Sequence, residues 1–276
     1  MKTPIIAPVV PHTPGSWRFL YFDAPTRGEQ VRMLFFLAST PFDDVRLKFP
    51  EGLTPYKTAA MGDASPLLGT DQCPAVTDPS GVHCVETSDI MKFVGRQVGM
   101  APPEGSAADA KATEMCLLAQ TALNECFYKL LLPMVVSTIL RGELYGILSW
   151  VPRLVFGRER ALAQAPAAKL AEILATVEAA LVESGGPFVC GQALNFADVS
   201  LYAVLFEIFA LPCLDRTVLL APHPKVAGHF EALGERMAPW MEQRVREHQV
   251  GIPNTVEWLA ATNTPVPSFL SKMRKH

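Results

Sequence analysis

Trp17-Arg18-Phe19-Leu20-Tyr21-Phe22-Asp23-Ala24-Pro25-Thr26-Arg27-Gly28-Glu29-Gln30-Val31-Arg32-Met33-Leu34-Phe35-Phe36-Leu37 is the stretch that decides the fold. Its first six residues are aromatic or large and apolar around one arginine, which predicts a strand. Asp23-Ala24-Pro25-Thr26 breaks that strand. Arg27 to Ser39 then reads as a helix, with Val31, Leu34, Phe35 and Leu37 on an apolar face. Downstream, Asp43 to Phe49 reads as a second strand, because Val45, Leu47 and Phe49 alternate with polar neighbours. A loop rich in Pro, Gly and Thr follows. Cys73 to Thr77 and Val82 to Val85 flank Asp78-Pro79-Ser80-Gly81, turn chemistry that predicts a hairpin. Thr87 or Ser88 can cap a helix running to about Val98. The order is β-α-β-loop-β-β-α. Gly99 to Ser106 has linker composition. Beyond it the pattern is helical throughout, over Ala107–Leu132, Glu159–Glu183, Asn195–Ala210 and Pro224–Met237. The expected organisation is a flexible tail over 1–16, an α/β domain over 17–100, an all-α domain over 107–247 and a tail over 248–276. Residues 133–157 are apolar and interrupted by prolines.

Hydrophobic residues make up 49% of the 276 and charged residues 18%, the balance of a globular chain. The net charge of −3 gives no bulk attraction to nucleic acid or to an anionic membrane. The longest apolar run, Leu130 to Leu140, contains Pro133 and is far short of the roughly 20 residues that span a bilayer. The N-terminus lacks the apolar core of a secretory signal. The six cysteines are Cys73, Cys84, Cys116, Cys126, Cys190 and Cys213. They form no CxxC pair, which fits a reducing, cytoplasmic setting. The histidines are dispersed without metal-ligand spacing, so no metal is expected.

Tyr21-Phe22 followed by Arg27, Glu29 and Arg32 resembles the opening of the tyrosine-type glutathione S-transferases, in particular the sigma class and its neighbours. Gln72-Cys73-Pro74-Ala75-Val76 resembles that family's segment with a cis proline before the third strand. Glu86-Thr87 stands where the family has Gln-Ser or Glu-Ser. Gly191 to Asp198 resembles the capping box of its helical domain, and His223-Pro224-Lys225-Val226 follows at the expected distance. The resemblance covers roughly residues 17 to 247. It implies an α/β thioredoxin-like N-terminal domain plus an all-α C-terminal domain. It also implies glutathione as substrate or cofactor, a small hydrophobic electrophile as second substrate, a role in detoxification and a homodimer. Glutathione-dependent isomerisation is a variant of the same chemistry.

By this resemblance Tyr21 is the catalytic residue. A phenol beside the sulfur favours the thiolate of a thiol whose ordinary pKa is about 8.5. The bland alternative is a core aromatic, since Trp17, Phe19 and Tyr21 share one face of the strand. Pro74 would hold the Cys73 backbone against the cysteinyl part of glutathione, like an added strand. Thr87 and the helix N-terminus would take the γ-glutamyl carboxylate, and Glu86 its amino group; alternatively Thr87 is a plain cap. Arg27, Lys57 and Gln72 complete the glutathione-binding set. Phe127, Tyr128, Leu132, Tyr145 and Trp150 are candidates for the second pocket. Asn195 and Asp198 read as structural capping residues. Two positions depart from the family pattern: Leu53 replaces an expected tryptophan, and Thr121 stands near an expected aspartate. They leave open a non-catalytic binding or scaffold protein of the same fold. A thiol-disulfide reductase using Cys73 or Cys84 is a third reading.

Overall fold

The computed structural model describes residues 9–23, 27–48, 51–131, 152–209, 211 and 214–246, with only the backbone of 152–164 and 244–246. Leu132, Tyr145, Trp150, Cys213 and the tail after 248 lie outside the described residues, as does residue 133–151 of the proline-interrupted segment.

Strand β1 (Trp17–Phe22) and helix α1 (Arg27–Leu37) fall where the opening motif predicts them. β2 (Phe42–Leu47) lies parallel to β1, with Tyr21 opposite Arg46. Glu51–Tyr56 forms a 3-10 turn and Thr58–Met61 a short helix, α2, where the sequence suggested only a loop. β3 (Ala75–Thr77) and β4 (His83–Val85) make the expected hairpin. Its turn is closed by Asp78 Oδ1, which accepts from Ser80 N at 2.8 Å and Val82 N at 2.9 Å. The sheet order is β2-β1-β3-β4, with β3 antiparallel to both neighbours. Helix α3 (Thr87–Gln97) follows.

β1 alternates as strands do, and each face finds its own core. Trp17, Phe19 and Tyr21 face α1 and α3 and join a cluster that continues into the helical domain through Phe127, Val199 and Leu205. Leu20 faces the other way, onto Val45, Leu47, Leu53, Tyr56 and Leu67. Because core lies on both sides of α1, its residues from Gly28 to Phe35 are all buried, charged ones included.

Among its described residues the C-terminal domain is built of helices, with only an isolated bridge between Phe188 and Gly191. Ser106 caps α4 (Ala107–Leu118), which continues through a π turn at Ala119–Leu123 and on to 131. α5 (Pro152–Ser184), α6 (Phe196–Phe209), α7 (Arg216–Leu220) and α8 (Pro224–Arg246) complete it. α8 runs past Pro239, where sequence reading stopped at Met237. Met237 and Trp240 are both buried on one face, and that packing carries the helix across the missing backbone donor.

Several polar links join the domains, among them Arg96 Nη2 to Asp109 Oδ2 at 3.1 Å and Lys92 Nζ to Thr113 Oγ1 at 3.0 Å. Trp240 Nε1 donates to Glu29 Oε1 at 3.1 Å. At the base of α1, the Gln30 carboxamide meets Gln120 and Ser200: Gln120 Nε2 donates to Gln30 Oε1 and to Ser200 Oγ, and Ser200 Oγ donates to Gln30 Oε1 at 2.7 Å. Asn124 Nδ2 adds a bond to Gln120 Oε1 at 3.2 Å.

Candidate functional site

The site is built from one end of the sheet. Extending the register one step past the ladder sets Tyr21 opposite Pro74, and Pro74 opposite Glu86. The Cys73–Pro74 bond is cis, as the resemblance implied. Pro74 is buried, while Cys73 beside it is half-buried.

Burial pushes the Cys73 thiol up to about 11, partly offset by backbone hydrogen bonds at Phe22 and at Cys73 itself. The Cys84 thiol is likewise pushed up to about 11, by burial and by the charge of Asp89. Both are neutral thiols at pH 7, which is poor chemistry for a redox nucleophile. Neither position thus offers the lowered thiol pKa that the reductase reading would use.

Tyr21 lies on the buried face of β1, 7% exposed. Its ring stacks on Phe19 with centroids 6.2 Å apart, and the Arg32 guanidinium carbon lies 5.9 Å from its centroid. A Cβ at Gly28 would fall 2.1 Å from Tyr21 Cδ1. Glycine in the first turn of α1 therefore makes room for this ring, at the usual cost of glycine in a helix. That unusual residue was the signal in the sequence that Tyr21 leans on α1. Arg27 opens the same turn, half-buried and without an ion pair among the described residues.

Arg32 is fully buried. Burial disfavours its charge, yet the Asp44 and Glu29 carboxylates outweigh that and raise its pKa. Arg32 Nε sits 3.0 Å from Asp44 Oδ2.

Glu86 and Thr87 behave differently from a plain cap. Glu86 is the N-cap of α3 with φ of 66° and makes no capping hydrogen bond through its side chain. A non-glycine residue in that region is held there against its preference. Glu86 is exposed. Thr87 is 4% exposed, and its Oγ1 is buried with no hydrogen-bond partner among the described residues. The expectation that Thr87 or Ser88 caps this helix is thus corrected: the cap position belongs to Glu86, and the Thr87 hydroxyl is not used to close the helix.

Lys57 and Gln72 come together around Asp71. Thr58 N donates to Asp71 Oδ1 at 2.7 Å. That bond holds the Asp71 carboxyl below its ordinary range, and the Lys57 charge adds to the effect. Lys57 starts α2, and Gln72 is exposed just before Cys73. Of the second-pocket candidates, Phe127 is 1% exposed and packs in the core, so it lines nothing; Tyr128 is 41% exposed. Leu53 fills the smaller core cluster in place of the expected indole. Among the described residues no group of three His, Cys, Asp or Glu could hold a metal ion.

Known proteins place this architecture. Residues 159–232 match the family model described as Glutathione S-transferase, C-terminal domain. Three solved structures illustrate the likeness over most of the chain. A glutathione S-transferase from Ascaris lumbricoides shares 22% identity over 86% of this chain and 99% of its own, with a TM-score of 0.56. A glutathione transferase from Phanerochaete chrysosporium, in complex with oxidised glutathione, shares 14% over 84% and 97%, with a TM-score of 0.58. A glutathione transferase family member from Pseudomonas fluorescens, with two glutathione bound, shares 15% over 82% and 89%, with a TM-score of 0.56. A search of curated protein sequences gave no match. The chain has the glutathione S-transferase fold: a small mixed sheet with its helices, followed by a helical domain.

Proposed function

We propose that this protein is a glutathione transferase of the tyrosine type, sigma-like in its opening motif. One observation carries the reading. At the N-terminus of α3, an 11-residue helix, a buried Thr87 hydroxyl has no partner among the described residues, behind a left-handed, exposed Glu86. A carboxylate there would receive the hydroxyl and the positive end of the helix dipole together. Glu86 would take the neighbouring ammonium of the γ-glutamyl group. The cis Cys73–Pro74 bond, one strand over, would present the Cys73 backbone to the cysteinyl unit. Lys57 and Gln72, with Arg27 across the site, supply charge and hydrogen bonds to the remaining polar groups. Tyr21 would donate its phenolic hydrogen bond to the sulfur, stabilising the thiolate once the proton has left. The second substrate would be a small hydrophobic electrophile, attacked by that thiolate or isomerised with glutathione as cofactor. We further propose a cytoplasmic homodimer engaged in detoxification.

The test follows thiolate absorbance of glutathione against pH, together with conjugation of a generic aryl halide, for wild type and Tyr21→Phe. The wild type is expected to bind glutathione, lower its thiol pKa and turn over. Tyr21→Phe is expected to bind and lose the shift. Binding by the wild type without any shift would replace this reading with a non-catalytic glutathione-binding or scaffold protein. Absence of binding would end both glutathione readings.

A further inference from the structure

The opposite end of the same sheet carries a second unusual group. Arg18 is the second residue of β1 and only 7% exposed. Its register partners are Asp43 on β2 and Thr77 on β3, and Thr77 in turn pairs with His83 on β4. Paired residues of neighbouring strands point to the same face, so these four side chains form one row across the sheet. The Arg18 guanidinium carbon lies 5.4 Å from the centroid of the Tyr56 ring. Yet Arg18 Nε and Nη2 are buried and have no hydrogen-bond partner among the described residues. Arg18 forms no ion pair there either.

The carboxylates in reach are engaged elsewhere. Asp43 is exposed, and its Oδ2 accepts from Ser16 Oγ at 2.9 Å. Asp78 Oδ1 closes the hairpin turn, and Asp78 Oδ2 accepts from Gln97 at 3.3 Å. The other charges nearby are cationic or neutral. His83 Nδ1 shares a hydrogen bond with Thr77 Oγ1 at 2.9 Å. Burial lowers the His83 pKa first; the positive charges of Arg18 and His12 lower it further, and Asp78 opposes them. Carboxylates thus lie in the neighbourhood of Arg18, but none makes an ion pair with it among the described residues.

A buried cation without a direct ion pair or hydrogen bonds on two of its nitrogens is expensive, and arginine cannot shed its proton to escape that cost. The two unpartnered nitrogens also share a geometry. Nε and Nη2 lie on one edge of the guanidinium, and their N–H bonds run parallel. That edge is the fork that grips a carboxylate or a phosphate with two hydrogen bonds.

We propose that the Arg18 edge, with His83 beside it, is a binding site for a small oxyanion, separate from the glutathione end of the sheet. Val9–Ser16 lies against this end of the sheet. That exposed segment is fastened by Val10 N to Tyr56 Oη at 2.9 Å, Gly15 N to Pro79 O at 3.2 Å, and Ser16 to Asp43.

The probes are inorganic phosphate and acetate, titrated calorimetrically into the full chain at constant ionic strength, with melting temperature as a second readout. Wild type is expected to bind at least one of them saturably and to melt higher as it fills. Tighter phosphate identifies a phosphate-type ligand, and tighter acetate a carboxylate. Arg18→Lys keeps the charge and loses the fork, so it is expected to weaken binding about tenfold. His83→Gln should weaken it less. Arg18→Gln should abolish it; if that variant does not fold, Arg18→Lys and His83→Gln decide alone. No saturable binding of either anion by wild type overturns the site. So does equal binding by Arg18→Lys, or a rise in melting temperature of equal size in both proteins, which would be a general salt effect.

Discussion

Helix α6 begins on a ring of engaged acceptors, whereas helix α3 begins on a buried hydroxyl without a partner among the described residues. At α6, Asn195 Oδ1 accepts from Ala197 N at 2.9 Å, and Asp198 Oδ2 accepts from Asn195 N at 3.0 Å. Asp198 Oδ1 takes Val189 N at 2.8 Å and the His229 ring at 3.1 Å. This is a reciprocal capping box. α4 begins in the same way: Asp109 N donates to Ser106 Oγ at 3.1 Å, and Asp109 Oδ2 accepts from Gly105 N and Arg96. α3 has the sequence for a cap, Thr87-Ser88, and does not use it. An unpartnered atom alone does not mark a site, since Asn195 Nδ2 and His229 Nδ1 are in the same condition under α6. What separates Thr87 is its company: an exposed, left-handed Glu86 and a cis proline on the adjoining strand. The two starts teach that one is satisfied within the chain, whereas the other leaves a buried hydroxyl that the proposed glutathione carboxylate would engage.

Substitution can break that contrast. The largest effect is expected from Asp198→Ala, which strands two backbone amides and a buried histidine; the predicted loss is about 3 kcal/mol, read from urea denaturation. A loss below about 1 kcal/mol would mean that the box at α6 is ornamental. Thr87→Val should sharpen the contrast from the other side. It is expected to weaken glutathione binding about tenfold while changing stability by no more than about 0.5 kcal/mol, because no existing hydrogen bond is lost. A large stability loss with unchanged affinity would make Thr87 structural.

Glu86→Gly is expected to raise stability by up to about 1 kcal/mol, since glycine accepts a φ of 66° freely, and to lower glutathione affinity. The smallest effect concerns α4. Burial works against the Asp109 charge, but the Gly105 amide, Lys92 and Arg96 outweigh it and hold its pKa below the ordinary value. A depressed folded pKa stabilises above the unfolded value near 3.9 and is lost as the pH falls through the folded one. Asp109→Asn should therefore flatten the stability profile on that acid limb and nowhere else.

Much of this was legible in the sequence for local reasons. WRFLYF, the Asp78-Pro79-Ser80-Gly81 turn and the Asn195–Asp198 box are each specified by residues within a few positions of one another, and each appears where expected. Of the candidate site residues, Tyr21, Cys73, Pro74, Glu86 and Thr87 were legible as motifs, and the sheet gathers them at one end. The misreadings have a common cause. The last helix was read only to Met237, because the buried face that carries α8 on past Pro239 is set by packing. Thr87 looked like a cap because its use depends on the φ of Glu86. Nothing in the sequence singled out Arg18, since its missing partner is apparent only once three other strands are in place. The turns between 51 and 64 are held by contacts such as Ser65 Oγ to Tyr56 O at 2.6 Å, nine residues apart.

The knot of Gln30, Gln120, Ser200 and Asn124 has a consequence for how the chain melts. Its members come from α1, the π turn of α4 with the residue after it, and α6. Parting the two domains would leave several amide groups and a hydroxyl facing an apolar interface. The core is also continuous across that boundary. Neither half is therefore an independent folding unit. Calorimetry should show one cooperative transition, and a chain severed between 99 and 106 should regain its structure only when both fragments are mixed.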